Sequence, residues 1–114
     1  MSKEEGKAIL LSYEGCSGND ADLGFAILAK LLETLPDRED RPAAIICWNN
    51  AVRLLAEGSP LLTRFRRLEE KNVKILAGES CINELELVGK IAVGKSATLE
   101  EILDVILHNE VISL

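Results

Sequence analysis

Aromatic side chains are scarce in this sequence. One tryptophan, one tyrosine and two phenylalanines make up 4% of the 114 residues, so leucine, isoleucine, valine and alanine must fill the core. Histidine occurs once, and the three cysteines at positions 16, 47 and 81 form no Cys-x-x-Cys pair. An odd count without paired spacing argues against a disulfide framework, and a single histidine argues against a zinc site. Free thiols in a reducing cytoplasm are expected, with no metal. Positive charge is in the minority: 13 Lys and Arg stand against 19 Asp and Glu, for a net charge of -6. The one basic cluster, Arg64, Arg66 and Arg67, is followed at once by Glu69 and Glu70 and reads as a solvated helix face. A nucleic-acid partner would need a basic surface for its phosphates, so none is expected. The stretch Met1 to Glu5 is charged with no apolar segment behind it, unlike a secretory leader, and no apolar run reaches the length of a membrane span. A membrane partner is not expected either. Repeats and low-complexity segments are lacking.

What is present is an ordinary globular composition, 47% hydrophobic and 28% charged. The length suits one domain over residues 1–114, which buries roughly two-thirds of its unfolded surface and needs no staples. Lys7 to Tyr13 has a continuous apolar centre, the signature of a strand covered on both faces. A turn-rich loop, Glu14 to Asp20, leads to a helix that Asn19 or Asp20 can cap. Leu23, Ile27, Leu31 and Leu35 mark its apolar stripe, widened by Leu28 and Leu32, and Pro36 ends it. Ala43 to Trp48 predicts a second covered strand. A short helix around Ala51 to Glu57 follows, closed by Gly58. Ser59-Pro60 reads as a cap and first-turn proline for a helix faced by Leu61, Leu62, Phe65 and Leu68, with Asn72 at a left-handed close. Val73 to Ala77 predicts a third strand, Cys81 to Leu87 a short helix, and Lys90 to Val93 a fourth strand ended by Gly94. Thr98 and Glu101 have capping-box spacing before a helix faced by Leu99, Ile102, Leu103, Ile106 and Leu107. Val111 to Leu114 reads as a last strand.

Alternating strands and helices predict an α/β fold: a mainly parallel sheet of five strands between two helical layers. Ligands of such sheets sit beyond the carboxyl ends of the strands. Cys16, Cys47 and Cys81 all fall at or near that edge.

Cys81 is the leading candidate for chemistry. Ser80 is a good helix cap, which puts Cys81 in a first turn whose unpaired amides favour a thiolate. Glu79 and Glu84 act in the opposite sense. The rival reading is an ordinary loop cysteine, since free cysteines usually serve as small hydrophobes. Cys16, in a polar loop, is a candidate accessory thiol or a neutral loop residue. Cys47 reads as buried in its strand. Trp48 fills core or stacks on a ligand, and His108 complements the end of the last helix. The loop Glu14 to Asp20 has the glycines of a phosphate cradle but no lysine, and Glu14, Asp20 and Asp22 would repel a phosphate. No cofactor is expected, and a nucleotide or small-molecule binder is the weakest of the alternatives.

Several pieces together resemble one family: Asn49 followed by Val52-Arg53-Leu54, Glu57-Gly58-Ser59-Pro60, Leu68-Glu69-Glu70-Lys71, Ile75-Leu76 running to Cys81, Ala92-Val93-Gly94, and the ending Val111-Ile112-Ser113-Leu114. From Ala8 to Leu114 the chain resembles the DsrE/DsrF-like family, closest to the carboxyl-terminal domain of YedF-type proteins. The resemblance implies a three-layer α/β/α domain, trimers or hexamers, and in some relatives a cysteine after a central strand that carries sulfur as a persulfide. The YedF-like pattern there is Cys-Gly-Thr-Cys-Leu. Cys81 matches its second cysteine, while Gly78 stands in place of the first, which removes the local dithiol partner. The TusA-like amino-terminal domain of YedF-type proteins is also absent from this sequence, so a separate protein would have to supply sulfur. The expectation is a sulfur carrier acting through Cys81, with Gly78, Ser80 and Asn49 around the site, Cys16 as a possible resolving thiol, and separate donor and acceptor proteins. The alternative is a non-catalytic, oligomeric binding or assembly module of the same fold.

Overall fold

The computed structural model describes residues 6–114; the charged stretch Met1 to Glu5 lies outside them. Five strands, β1 (Lys7–Leu11), β2 (Ala44–Cys47), β3 (Lys74–Gly78), β4 (Lys95–Ala97) and β5 (Glu110–Ser113), pair in parallel in the order β4-β3-β2-β1-β5. The helices are α1 (Ala21–Thr34), α2 (Leu62–Glu70), α3 (Glu79–Glu84) and α4 (Leu99–His108), and a 3-10 helix, Asn49–Leu55, follows β2. The strand order explains the layers. From β1 to β4 the chain steps one way across the sheet, and right-handed crossovers put α1, α2 and α3 on one face. From β4 it steps back past β1 to β5, so α4 lies on the other.

The core follows the two-residue alternation of the strands. Ile9, Leu11, Ile45, Cys47, Ile75 and Ala77 join Leu28, Leu32, Phe65, Leu68 and Ile82 in the larger cluster. Leu10, Ile46 and Leu76 face the opposite way, towards Ala97, Ile102, Val105 and Ile106. All four residues of β2 are buried, as its unbroken apolar run predicts. Asp20 caps α1 through Leu23 N at 2.9 Å, Thr98 and Glu101 form the capping box, and Asn72 takes the left-handed conformation at φ 69°.

Four expectations are corrected. The buried side of α1 is Gly24, Leu28 and Leu32, whereas Leu23 and Ile27 are exposed. A glycine adds nothing to an apolar stripe, so the buried face was invisible one position over. The fourth strand is Lys95–Ala97, not Lys90 to Val93. Ile91 bridges Ala56 in antiparallel fashion, and Ala92 N donates to Leu55 O at 2.8 Å, so this apolar segment seals the 3-10 helix and not the sheet. The strand resumes after Gly94, at φ 87°, and as an edge strand it tolerates the exposed Lys95 and Ser96. The helix after β3 begins at Glu79 and ends at Glu84, earlier at both ends than Cys81 to Leu87. Finally, α4 buries Ile102 and half-buries Val105 and Ile106, but Leu99, Leu103 and Leu107 are exposed. A single helix on that face presents only a narrow stripe to the sheet.

Candidate functional site

Register builds the site. In the β2–β3 pairing Cys47 lies opposite Ala77, so the two chains leave the sheet side by side at its carboxyl edge. One continues as Trp48 and Asn49, the other as Gly78 and α3. The position is the one where parallel sheets bind ligands.

Ser80 is not the cap of α3. β3 runs on through Gly78, which occupies the N-cap with no side-chain bond, and Ser80 falls at the second helical position. Cys81 still lies in the first turn. The hydrogen bond its sulfur accepts comes from across the site: Asn49 N donates to Cys81 Sγ at 3.0 Å. That amide is aimed by an uncommon backbone. Asn49 has φ 54°, a left-handed conformation that asparagine accepts more readily than most residues. Trp48 secures the turn from the other side. Its backbone N donates to Leu11 O at 3.1 Å and its indole Nε1 donates to Ser12 Oγ at 2.9 Å. The ring is half-buried against the smaller core cluster, the core use expected of it, and it also lines the cleft.

Gly78 makes room for the sulfur. A Cβ there would lie 3.3 Å from Trp48 Cβ and 3.4 Å from Cys81 Sγ. Beside it lies a cleft of about 540 Å³ lined by Trp48, Asn49, Ser80, Cys81, Glu84 and Leu85. A larger groove of about 730 Å³ runs along β3, β4 and α4 and is lined by no thiol.

The structure does not bring Cys16 into this cleft. Cys16 lines a separate hollow of about 270 Å³ with residues of its own loop, and its backbone N donates to Gly24 O at 3.0 Å. The loop's Gly15 serves close packing: a Cβ there would come within 2.8 Å of Phe25 N. His108 lies at the end of α4, where its Nδ1 donates to Asp104 O at 2.6 Å, and takes no part in the cleft. Among the described residues no three His, Cys, Asp or Glu side chains converge to hold a metal ion.

Cys47 is fully buried, and burial pushes its thiol up to about 12. The sign of the linkage follows. Below about pH 9 both folded and unfolded chains keep this proton. As pH rises from 9 towards 12 the unfolded thiol ionises first, so the fold loses stability over that window. Unfolding by denaturant at pH 8 and pH 10 should show a loss of about 1.4 kcal/mol from this group. The difference should vanish in Cys47→Ala, after its own constant cost is subtracted; a slope unchanged by the substitution would refute the assignment.

The fold and site define a class: a small α/β/α protein with a five-stranded parallel sheet and a thiol cleft at its carboxyl edge. No protein-family model matches the chain, and no curated protein matches it. Solved structures do share its fold. The YchN protein from E. coli superposes with a TM-score of 0.72 at 15% identity, covering 96% of this chain and 99% of that one. The conserved protein of unknown function BT1422 from Bacteroides thetaiotaomicron gives 0.69 at 18% identity, covering 96% and 95%. The protein of unknown function MTH1491 from Methanobacterium thermoautotrophicum gives 0.66 at 10% identity, covering 96% and 100%. At these identities the likeness is one of fold. It is the three-layer α/β/α architecture with a parallel five-stranded sheet that the resemblance implies.

Proposed function

We propose that this protein handles sulfur, with Cys81 as a single-thiol carrier. The observation that carries the reading is the Cys81 sulfur in an open cleft, with a backbone amide of Asn49 at 3.0 Å. Thiolate is the nucleophile in sulfur exchange, and the Asn49 N–H is placed to donate a hydrogen bond to sulfur there. Cys81 thiolate attacks the outer sulfur of a donor persulfide. The donor S–S bond breaks and the donor leaves as a thiolate. The new persulfide waits on Cys81 until an acceptor nucleophile attacks its outer sulfur and releases Cys81 thiolate. Gly78 supplies no local partner thiol, and Cys16 lines a different hollow, so release rests on the acceptor and not on an internal disulfide. Donor and acceptor are separate proteins of the cytoplasm in this reading.

Incubation with inorganic polysulfide followed by intact-mass measurement tests it. The expected adduct is one sulfur atom, about 32 Da, retained in Cys16→Ser and lost in Cys81→Ser. An adduct that survives Cys81→Ser, or none at all, overturns the proposal. The second reading, an assembly module without chemistry, draws on the exposed Leu99, Leu103 and Leu107 of α4, since apolar surface of that kind is commonly covered by a partner. A homo-oligomer fits both readings. The polysulfide experiment separates them, because the module leaves Cys81 without sulfur.

A further inference from the structure

We propose that the Cys81 cleft selects cationic sulfur substrates with a hydrocarbon body and rejects anionic ones. The inference rests on the carrier reading only in taking Cys81 as the reacting atom. Its basis is the cleft wall. Trp48 and Leu85 make the wall largely apolar, and Glu84 is the one charged residue among the described residues that line it. Among the described residues no lysine, arginine or histidine lines the cleft. Glu79, exposed on the same short helix, adds a second carboxylate close by in sequence. The indole is tied at Nε1 to Ser12, so it is a fixed surface and not a side chain that must be ordered on binding. A cation gains from both features, because an indole face attracts positive charge and a carboxylate does so at longer range. An anionic donor such as thiosulfate meets a carboxylate and a thiolate with no cation to offset them. A site built for such an anion would be expected to carry an arginine or lysine.

Three methanethiosulfonates that differ only in the ethyl substituent provide the test: trimethylammonium, hydroxyl and sulfonate. In each reaction Cys81 thiolate attacks the sulfenyl sulfur, the S–S bond breaks, and methanesulfinate leaves with the electron pair. Cys81 is oxidised to a mixed disulfide and the reagent is reduced. Rates at Cys81 are read by peptide mass, and each is divided by the rate of the same reagent with 2-mercaptoethanol. The normalised cation-to-anion ratio should be roughly tenfold at low salt and should fall towards one in about 1 M salt. Glu84→Gln, an exposed substitution that leaves the core untouched, should reduce the ratio to roughly threefold. Trp48→Leu should slow the cationic reagent relative to the neutral one. A ratio near one at low salt overturns the proposal, and so does a ratio unmoved by Glu84→Gln. These reagents label Cys81 whether or not it ever carries sulfur. A missing polysulfide adduct with the ratio intact would therefore remove the carrier role and leave the charge selectivity standing.

Discussion

Alanine at position 24 is expected to destabilise the protein by about 3 kcal/mol, although Gly→Ala inside a helix ordinarily stabilises by about 1. Gly24 lies in the first turns of α1, on its buried side. A Cβ there would collide with Cys16 O, a backbone atom that cannot swing aside as a side-chain tip can. The same contact is locked by the Cys16 N to Gly24 O hydrogen bond at 3.0 Å. Relief requires the whole loop from Glu14 to Gly18 to lift from α1, breaking that bond and exposing the packed face of Cys16. The lost hydrogen bond costs about 1 kcal/mol and overpacking supplies the rest. Thermal unfolding should shift down by roughly 10 °C. Gly24→Ala with an unchanged or raised midpoint would show that the loop is not held against α1 as described. The thiol cleft should be spared, since Cys81 and Asn49 belong to the other strand ends.

The second large effect concerns chemistry. Gly78→Cys should convert the single thiol into a redox pair and, under mild oxidant, remove Cys81 from reaction entirely. The site is prepared for it. A Cβ at position 78 would lie 3.4 Å from Cys81 Sγ, within reach of an S–S bond of about 2.05 Å. Both residues sit at the start of the six-residue helix α3, so the bridge closes a very small loop of backbone that is already ordered. The contact with Trp48 Cβ at 3.3 Å is tight, and the new sulfur must turn away from the indole, which directs it towards Cys81. Oxidation should lower the intact mass of the variant by about 2 Da through loss of two protons and two electrons to the oxidant. Alkylation should then label Cys16 but not Cys81, and reductant should restore Cys81. A Gly78→Cys variant in which the introduced thiol and that of Cys81 both stay free under oxidant would contradict the geometry.

Much of the layout was legible from local signals. The buried strands Lys7–Leu11 and Ala44–Cys47 announced themselves as unbroken apolar runs, because a parallel strand covered on both faces has no room for polar side chains. Asp20, Thr98 with Glu101, and Asn72 did so through backbone rules that act within four residues. Where an element met little or no core, those signals failed. β4 holds Lys95 and Ser96 and lies at an edge, so it has no apolar pattern to read, whereas Ile91 and Val93 have one and belong elsewhere. Gly24 and Gly78 were unreadable as close approaches for the same reason. A missing side chain shows its use only when the neighbour it admits is known. Asn49 stood out only through resemblance, and nothing local says that its amide reaches a sulfur thirty-two residues further along.

The amino-acid sequence alone determined the alternation of strands and helices, the burial of Cys47 and the placement of Cys81 in the first turn after a central strand. These depend on hydrophobic period and helix-end chemistry, both short-range. Only the tertiary structure decided that Asn49 faces that sulfur, that Cys16 does not, and that Trp48 and Glu84 shape the space around it. Those relations depend on which strands are neighbours and in what register, and pairing between distant segments is fixed by the packed sheet as a whole.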